Sequence, residues 1–266
     1  MSLESYWFHG LKLSVFSLKE LADEIVQTVE NGRPKIFYGY ALGFLPFIKK
    51  YPELIKITNS FDVMVTDGRF LYLFARFLDA PLKFDISIPF LTNLVFEIAN
   101  SRGYSVMLLG STKESNDKAT KRLRIQYPNM IIYDGFSGGS FTEIEYDQII
   151  EQVNKNKPDI ICIGVSTPKK ERFAFYAKGK VDTKIIIPFG GMIDGLAGTV
   201  KLTPHILKKL GFATIFRLFQ EPRRLGVITL ETVYESFIKV IPRLLFEVKL
   251  KRNKEFSLKD IYPDSF

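Results

Sequence analysis

The chain has 266 residues, 46% hydrophobic and 25% charged, enough for one large domain, or a domain with an appendage, around an apolar core. One cysteine, Cys162, and two histidines far apart, His9 and His205, exclude a disulfide framework and leave no metal-ligand constellation. The net charge of +8 resides in residues 201–254, where twelve Lys/Arg stand against four Asp/Glu, so a neutral body carries a basic segment suited to an anionic partner. The amino terminus, MSLESYWFHG, lacks a basic region followed by an apolar core, and no run reaches the ~18 apolar residues of a spanning helix, which reads as a cytoplasmic protein. Phenylalanine, at 24 residues, is in excess, and part of it is expected on a surface that meets lipid or another chain.

In chain order, a short extended lead precedes a helix capped by Ser17 with Glu20 three residues on, its apolar stripe Leu21, Ile25, Val26 and Val29 ending near Asn31-Gly32. Lys35–Tyr40 reads as a buried strand, Leu42–Ser60 as helix interrupted at Pro46 and Pro52, Phe61–Thr66 as a strand and Arg69–Leu78 as a very apolar helix. Helix Phe90–Ser101, strand Ser105–Leu109, helix Lys113–Gln126, strand Met130–Tyr133 and helix Glu143–Asn156 follow. Ile160–Val165 and Lys184–Phe189 are isoleucine-rich runs bounded by turn signals, with helix Lys169–Lys178 between them, the pattern of a doubly buried strand–helix–strand unit. Repeated alternation of this kind predicts an α/β, Rossmann-like, mainly parallel sheet with helices on both faces. Beyond Gly198, short helices are expected at Leu202–Leu210 and Phe212–Gln220. A longer one over Val227–Lys251 is expected to kink at Pro242 and to gather Leu230, Val233, Tyr234, Phe237, Ile241, Leu244, Leu245 and Val248 on one face. The division expected is an α/β catalytic domain over 1–200, a basic amphipathic helical appendage over 201–254 and a loosely held end over 255–266.

The chemistry concentrates where strands end, because ligands of open parallel sheets bind outside the carboxyl ends of the strands. Asp67-Gly68 places a carboxylate at such an end, able to act as a general base on a hydroxyl, although Asp-Gly is also a common turn. Gly110-Ser111-Thr112 opens a helix, whose first amides favour phosphate. Gly164-Val165-Ser166-Thr167-Pro168-Lys169-Lys170-Glu171 sets a basic pair and an acid at a helix start, readable as a diphosphate and ribose contact or as a solvated first turn. Gly190-Gly191 with Asp194 forms a further strand-end loop. Neither G-x-G-x-x-G nor G-x-x-x-x-G-K-[ST] occurs, so the fingerprints of dinucleotide-binding and P-loop proteins are absent. Four strand ends with Gly or Asp-Gly together suggest a nucleotide-type ligand lying along the sheet edge.

These blocks resemble the WecG/TagA/CpsF family of bacterial glycosyltransferases, which includes N-acetylmannosaminyltransferases of wall teichoic acid and enterobacterial common antigen synthesis. The resemblance runs from about residue 10 to about 224, through Asp67-Gly68, Leu108-Leu109-Gly110-Ser111, Tyr127-Pro128, Lys157-Pro158-Asp159 and Gly164-x-Ser166-x-Pro168-Lys169-x-Glu171. It continues through Gly190-Gly191-x-x-Asp194-x-Leu196-Ala197-Gly198 and Arg217…Glu221-Pro222-Arg223-Arg224. It implies an inverting, metal-independent and cofactor-free transfer of a sugar from a UDP-sugar to a polyprenyl-diphosphate-linked saccharide. By resemblance, Asp67 is the base and Gly68, Gly110, Ser111, Gly164, Ser166, Pro168, Lys169, Glu171, Gly190, Gly191 and Asp194 belong to the donor pocket. Arg217, Arg223 and Arg224 correspond to arginines that meet the lipid diphosphate, which guanidinium groups suit because they bond two oxygens at once. The chain departs from the family pattern at Phe37-Tyr38-Gly39-Tyr40 (usually a threonine and an asparagine), at Lys170 (glutamine), at Ile193 (phenylalanine), at Leu202-Thr203 and at Phe212-Ala213-Thr214. The stretch Phe84–Pro89 also lacks the family's arginine and glycine.

Two readings of the function are open. One is a transferase building a cell-surface polysaccharide, peripheral at the inner face of the membrane and held to anionic lipid by the carboxy-terminal helices. The other is a nucleotide-sugar-binding or scaffold protein of the same fold. A nucleic-acid partner is not expected, because the apolar residues of the basic segment form a stripe and not aromatic platforms for bases. A second copy of the chain stays open as a partner.

Overall fold

The computed structural model describes residues 3–136, 139–200 and 222–266. The chain opens with an antiparallel hairpin, β1 (Glu4–Phe8) and β2 (Leu11–Val15), where sequence suggests only an extended lead. His9 (φ 45°) and Gly10 (φ 96°) make the tight turn, and Leu11, Leu13 and Val15 bury alternate side chains of β2. α1 (Leu18–Asn31) begins with the expected reciprocal cap of Ser17 and Glu20. β3 (Lys35–Tyr40) leads through a 3₁₀ turn to α2 (Leu45–Lys50) and α3 (Glu53–Asn59), which fall on either side of Tyr51-Pro52. β4 (Val63–Thr66), α4 (Arg69–Phe77), α5 (Ile88–Arg102), β5 (Ser105–Leu109), α6 (Lys113–Gln126) and β6 (Ile131–Tyr133) follow. Next come α7 (Tyr146–Asn156), β7 (Ile160–Ile163), α8 (Lys169–Ala177) and β8 (Ile185–Pro188). The stretch after Gly191, expected as a loop, is a short helix, α9 (Met192–Ala197), closed by Gly198 in the left-handed region.

The parallel strands form a sheet in the order β4-β3-β8-β7-β5-β6. Ile160 lies in register between Val106 and Ile185, and Ile161 between Met107 and Ile186. Alternate strand residues supply two cores. Tyr38, Tyr40, Met107, Ile161 and Ile186 join α2, α3, α7, α8 and the hairpin on one face, whereas Phe37, Val106, Cys162 and Ile187 join α1, α5, α6 and α9 on the other. Helices thus cover both faces, as parallel sheets require.

Two expectations for the carboxy-terminal part are corrected. The long helix exists, as α10 (Pro222–Val233), a π-helical turn at Tyr234–Val240, α11 (Ile241–Leu244) and a second π-helical turn at Leu245–Leu250. Its apolar residues do not share one covered face. A π turn holds an extra residue and rotates the helix beyond it. Just before and within its first turn, Thr232, Glu235 and Ser236 face inward while Leu230, Val233, Tyr234 and Phe237 face out; at its end and beyond it, Val240, Ile241 and Leu244 are buried. The end of the chain is fastened, not loose. α12 (Leu258–Ile261) buries Leu258 and Ile261, the Leu258 N–H donates to the His9 carbonyl (2.8 Å), and the Ser265 hydroxyl donates to the Ile48 carbonyl (3.0 Å). The Tyr262 hydroxyl donates to the buried Glu235 carboxylate (2.5 Å), which Lys239 also approaches at 3.3 Å. The helices expected at Leu202–Leu210 and Phe212–Gln220 lie outside the described residues. Among the described residues, no helix is long and apolar enough to cross a membrane.

Candidate active site

The carboxyl edge of the sheet carries two polar stations. The first lies over β4, β3 and β8. Thr66 ends β4, Gly68 turns the chain at φ 121°, and Asp67 sits between them. The Asp67 N–H donates to the Tyr40 carbonyl (2.7 Å), and its Oδ1 accepts the Ile88 N–H (3.0 Å) at the amino end of α5, a favourable place for a carboxylate. Gly39, on the neighbouring strand, leaves room for this arrangement. A Cβ there would lie 2.7 Å from Ile88 Cγ1 and 3.0 Å from Asp67 Cβ.

Asp67 lines a cleft with Gly39, Ile88, Thr167, Lys170 and Phe189. Beneath Lys170, Glu171 is fully buried. Its Oε1 accepts from the Tyr38 hydroxyl (2.7 Å), the Thr167 hydroxyl (2.8 Å) and the Lys170 ammonium (2.7 Å). The Lys170 ammonium also sits 4.5 Å from the Tyr38 ring centroid. Burial, reinforced by the Glu171 and Tyr40 neighbours, pushes the Tyr38 hydroxyl well above the ordinary tyrosine value, so it remains a neutral donor. Among the described residues Glu171 Oε2 has no hydrogen-bond partner.

The second station lies over β7 and β5 and is made by backbone turns. Gly110 (φ 101°) and Ser111 (φ 62°) both adopt positive φ, and the Ser111 hydroxyl donates to Asp194 Oδ1 at 2.7 Å. Gly164 allows α9 to close over β7, since a Cβ there would meet Ile193 Cδ1 at 2.3 Å. Thr112 caps α6 through the Ser115 N–H (3.2 Å). Gly190, two residues beyond the end of β8, adopts φ 65°.

A strand end that bears a carboxylate beside a cation, in line with helix starts and glycine turns, is an arrangement that can serve group transfer from a polar donor. The family described as Glycosyl transferase WecG/TagA/CpsF family matches residues 6–249. The chain belongs to this family. Among its relatives, an N-acetylglucosaminyldiphosphoundecaprenol N-acetyl-beta-D-mannosaminyltransferase of Staphylococcus aureus (strain MRSA252) is 26% identical over 240 residues, 86% of this chain and 89% of the relative. Proteins of the same name from strains MW2 and NCTC 8325 / PS 47 are each 25% identical over the same length.

In this WecG/TagA/CpsF member, the structure brings Gly110, Ser111, Gly164 and Asp194 together and sets Asp67 in a cleft of its own. Lys169 points elsewhere, its ammonium 3.3 Å from the Ser140 carbonyl, and Ser166 is exposed on the loop before α8. Several residues of the cleft, among them Lys170 and Gly39, are not among the site residues expected from sequence. Lys170 is read from sequence as one of a basic pair at a helix start and as a departure from the family pattern, and its further signal is its place one residue before Glu171. Gly39 has a signal too, a glycine inside an otherwise bulky strand, which marks a close approach. Arg217 lies outside the described residues, as do the side chains of Arg223 and Arg224.

Proposed function

We propose that this chain moves a hexose or N-acetylhexosamine from a UDP-sugar to a polyprenyl-diphosphate-linked saccharide, with inversion and without a metal, in the synthesis of a cell-surface polysaccharide. The observation that carries the reading is the cleft shared by Asp67 and Lys170 at the strand ends. In it, an acceptor hydroxyl donates its proton to Asp67 while its oxygen forms the new bond to the anomeric carbon. The bond from that carbon to the diphosphate oxygen breaks on the opposite side, and UDP leaves with the electron pair. Lys170 meets the charge that gathers on the diphosphate, a role in which a fixed cation favours the transition state. The edge from β4 to β5 spans four strand spacings, about 19 Å, a reach that suits a nucleoside diphosphate joined to a sugar. The nucleoside end then falls near Gly110, Ser111, Gly164 and Asp194, with Gly190 and Gly191 along the middle. The relatives' name specifies a diphosphoundecaprenol acceptor, which supports the lipid-linked half of the reading. Arg217, Arg223 and Arg224 are assigned to the acceptor diphosphate on the family resemblance.

The test combines binding with turnover. UDP, UDP-GlcNAc, UDP-ManNAc and UDP-glucose are screened by thermal shift, where a ligand at a hundredfold excess over its dissociation constant adds about 2.7 kcal/mol. Donors that bind are then assayed with a polyprenyl-diphosphate saccharide. Turnover that disappears in Asp67→Asn while donor binding persists establishes the transferase. UDP binding without turnover on any donor and acceptor pair establishes a nucleotide-sugar-binding protein instead.

A further inference from the structure

The family match ends at residue 249, and the chain beyond it is tied to elements far away in sequence. The Leu258 N–H donates to the His9 carbonyl, the Phe266 ring packs on Gly10, where a Cβ would lie 2.9 Å from it, and the Ser265 hydroxyl donates to the Ile48 carbonyl. The Tyr262 hydroxyl donates to Glu235, and the Lys239 ammonium sits 4.2 Å from the Tyr262 ring centroid. Glu235 is buried, and its other oxygen lies 3.8 Å from the Lys49 ammonium. Ile48 and Lys49 both belong to α2, so the tail and the long helix converge on the same short helix. What α2 carries gives these contacts a consequence. The 3₁₀ turn Leu42–Phe44 runs straight into it, and Gly43 and Phe44, with Ala41 before them, line the Asp67 cleft. Ala41 and Phe44 also line a separate apolar cavity, together with Phe8, Leu71, Val240 and Leu258. The turn is therefore a partition with the cleft before it and a void behind it, and a void gives its lining no atoms to press against. Packing alone holds such a partition poorly, so its position depends on the helix it leads into.

We propose that residues 250–266 are a strap that holds this partition, with Tyr262 as a positioning residue. Tyr262 fixes Glu235, Glu235 and the Ser265 hydroxyl fix α2, and α2 fixes the wall of the cleft. The fastening is of the strong kind, a hydroxyl bonded to an ionised carboxylate away from water. Glu235 reaches inward from the π-helical turn Tyr234–Val240, an irregularity of the sort found at functional sites. The effect on turnover rests on the transferase reading: a loosened wall misaligns the acceptor hydroxyl against Asp67 and leaves the donor turns at Gly110 and Gly164 as they are. The hold on α2 does not rest on that reading.

The experiment is amide hydrogen exchange on the full chain and on Tyr262→Phe, which keeps the ring and removes only the hydroxyl. The proposal expects exchange over residues 42–51 to quicken by about tenfold while β5 and β7 keep their rates. In a Glu235→Ala background Tyr262→Phe is expected to add nothing, because the two act through one bond. With a UDP-sugar and a polyprenyl-diphosphate saccharide, kcat is expected to fall about tenfold in Tyr262→Phe at an unchanged donor dissociation constant. Unchanged exchange over 42–51 overturns the strap. So does a quickening shared by β5 and β7, which would make Tyr262 a general stabiliser, or an undiminished effect of Tyr262→Phe in the Glu235→Ala background. A weakened donor constant with kcat intact overturns its place at the cleft wall. If the unaltered chain turns over no donor and acceptor pair while the exchange result holds, the transferase reading fails and the strap stands.

Discussion

Over β4, β3 and β8 the sheet edge holds charge under cover: Glu171 is fully buried, three donors converge on one of its oxygens, and Lys170 is pinned between it and the Tyr38 ring. Over β7 and β5 the edge is shaped by glycines and positive-φ turns, and its polar contacts include the bond from Ser111 to Asp194. The contrast supports the proposed division of labour along one edge. Chemistry needs groups that do not relax when charge moves, and burial with three donors on one carboxylate oxygen supplies that stiffness. Recognition of a ligand's polar backbone needs close approach, and glycine supplies that.

Substitutions can break or sharpen this contrast. The largest effect is expected from Asp67→Asn, which keeps the Ile88 contact but removes the proposed base, lowering turnover by roughly 10²–10⁴-fold with donor affinity unchanged; initial rates and calorimetric titration check it. Next comes Glu171→Ala, which strands the Lys170 ammonium and the Tyr38 and Thr167 hydroxyls, with an expected loss of about 3–5 kcal/mol in urea unfolding. An alanine at either station's glycine ranks third, each costing about 1–3 kcal/mol by overpacking, but with different functional outcomes. Gly39→Ala pushes on Ile88 and Asp67 and is expected to lower turnover more than donor affinity, whereas Gly164→Ala pushes on Ile193 and is expected to weaken donor binding first. Smallest is Ser111→Ala, which removes one hydrogen bond to Asp194, worth about 1 kcal/mol, and is read as a modest rise in the donor dissociation constant. If Ser111→Ala proved as damaging to turnover as Asp67→Asn, the division of labour would be wrong.

Much of this arrangement is legible in the amino-acid sequence. The bounds of β3, β5 and α6 match those expected from it because apolar runs there end at strong turn or cap signals. Asp67, Ser111 and Asp194 are legible for the same reason, since strand-end loops are short and their polar residues have few other places to go. The features that escape depend on partners distant in sequence. Lys170 becomes part of the cleft through Tyr38, a contact across 132 positions that local pattern does not reveal. The hairpin escapes because its second strand finds its cover from α3, β4 and the end of the chain. The long helix's stripe is legible as a stripe, yet its facing is not, because a π turn shifts register without a sequence mark of its own.

The fastening of the chain's end has a consequence for synthesis. The His9 carbonyl receives its hydrogen bond from Leu258, and the His9 ring bonds the Phe256 carbonyl at 2.7 Å, so the hairpin waits for residues made 247 positions later. A nascent chain can complete the parallel sheet once β8 has left the ribosome, but Phe8 and Leu11 on the hairpin stay partly uncovered until Leu258 arrives. Closing of the sheet and covering of the hairpin are then separate events in synthesis, and the second needs the segment around Leu258.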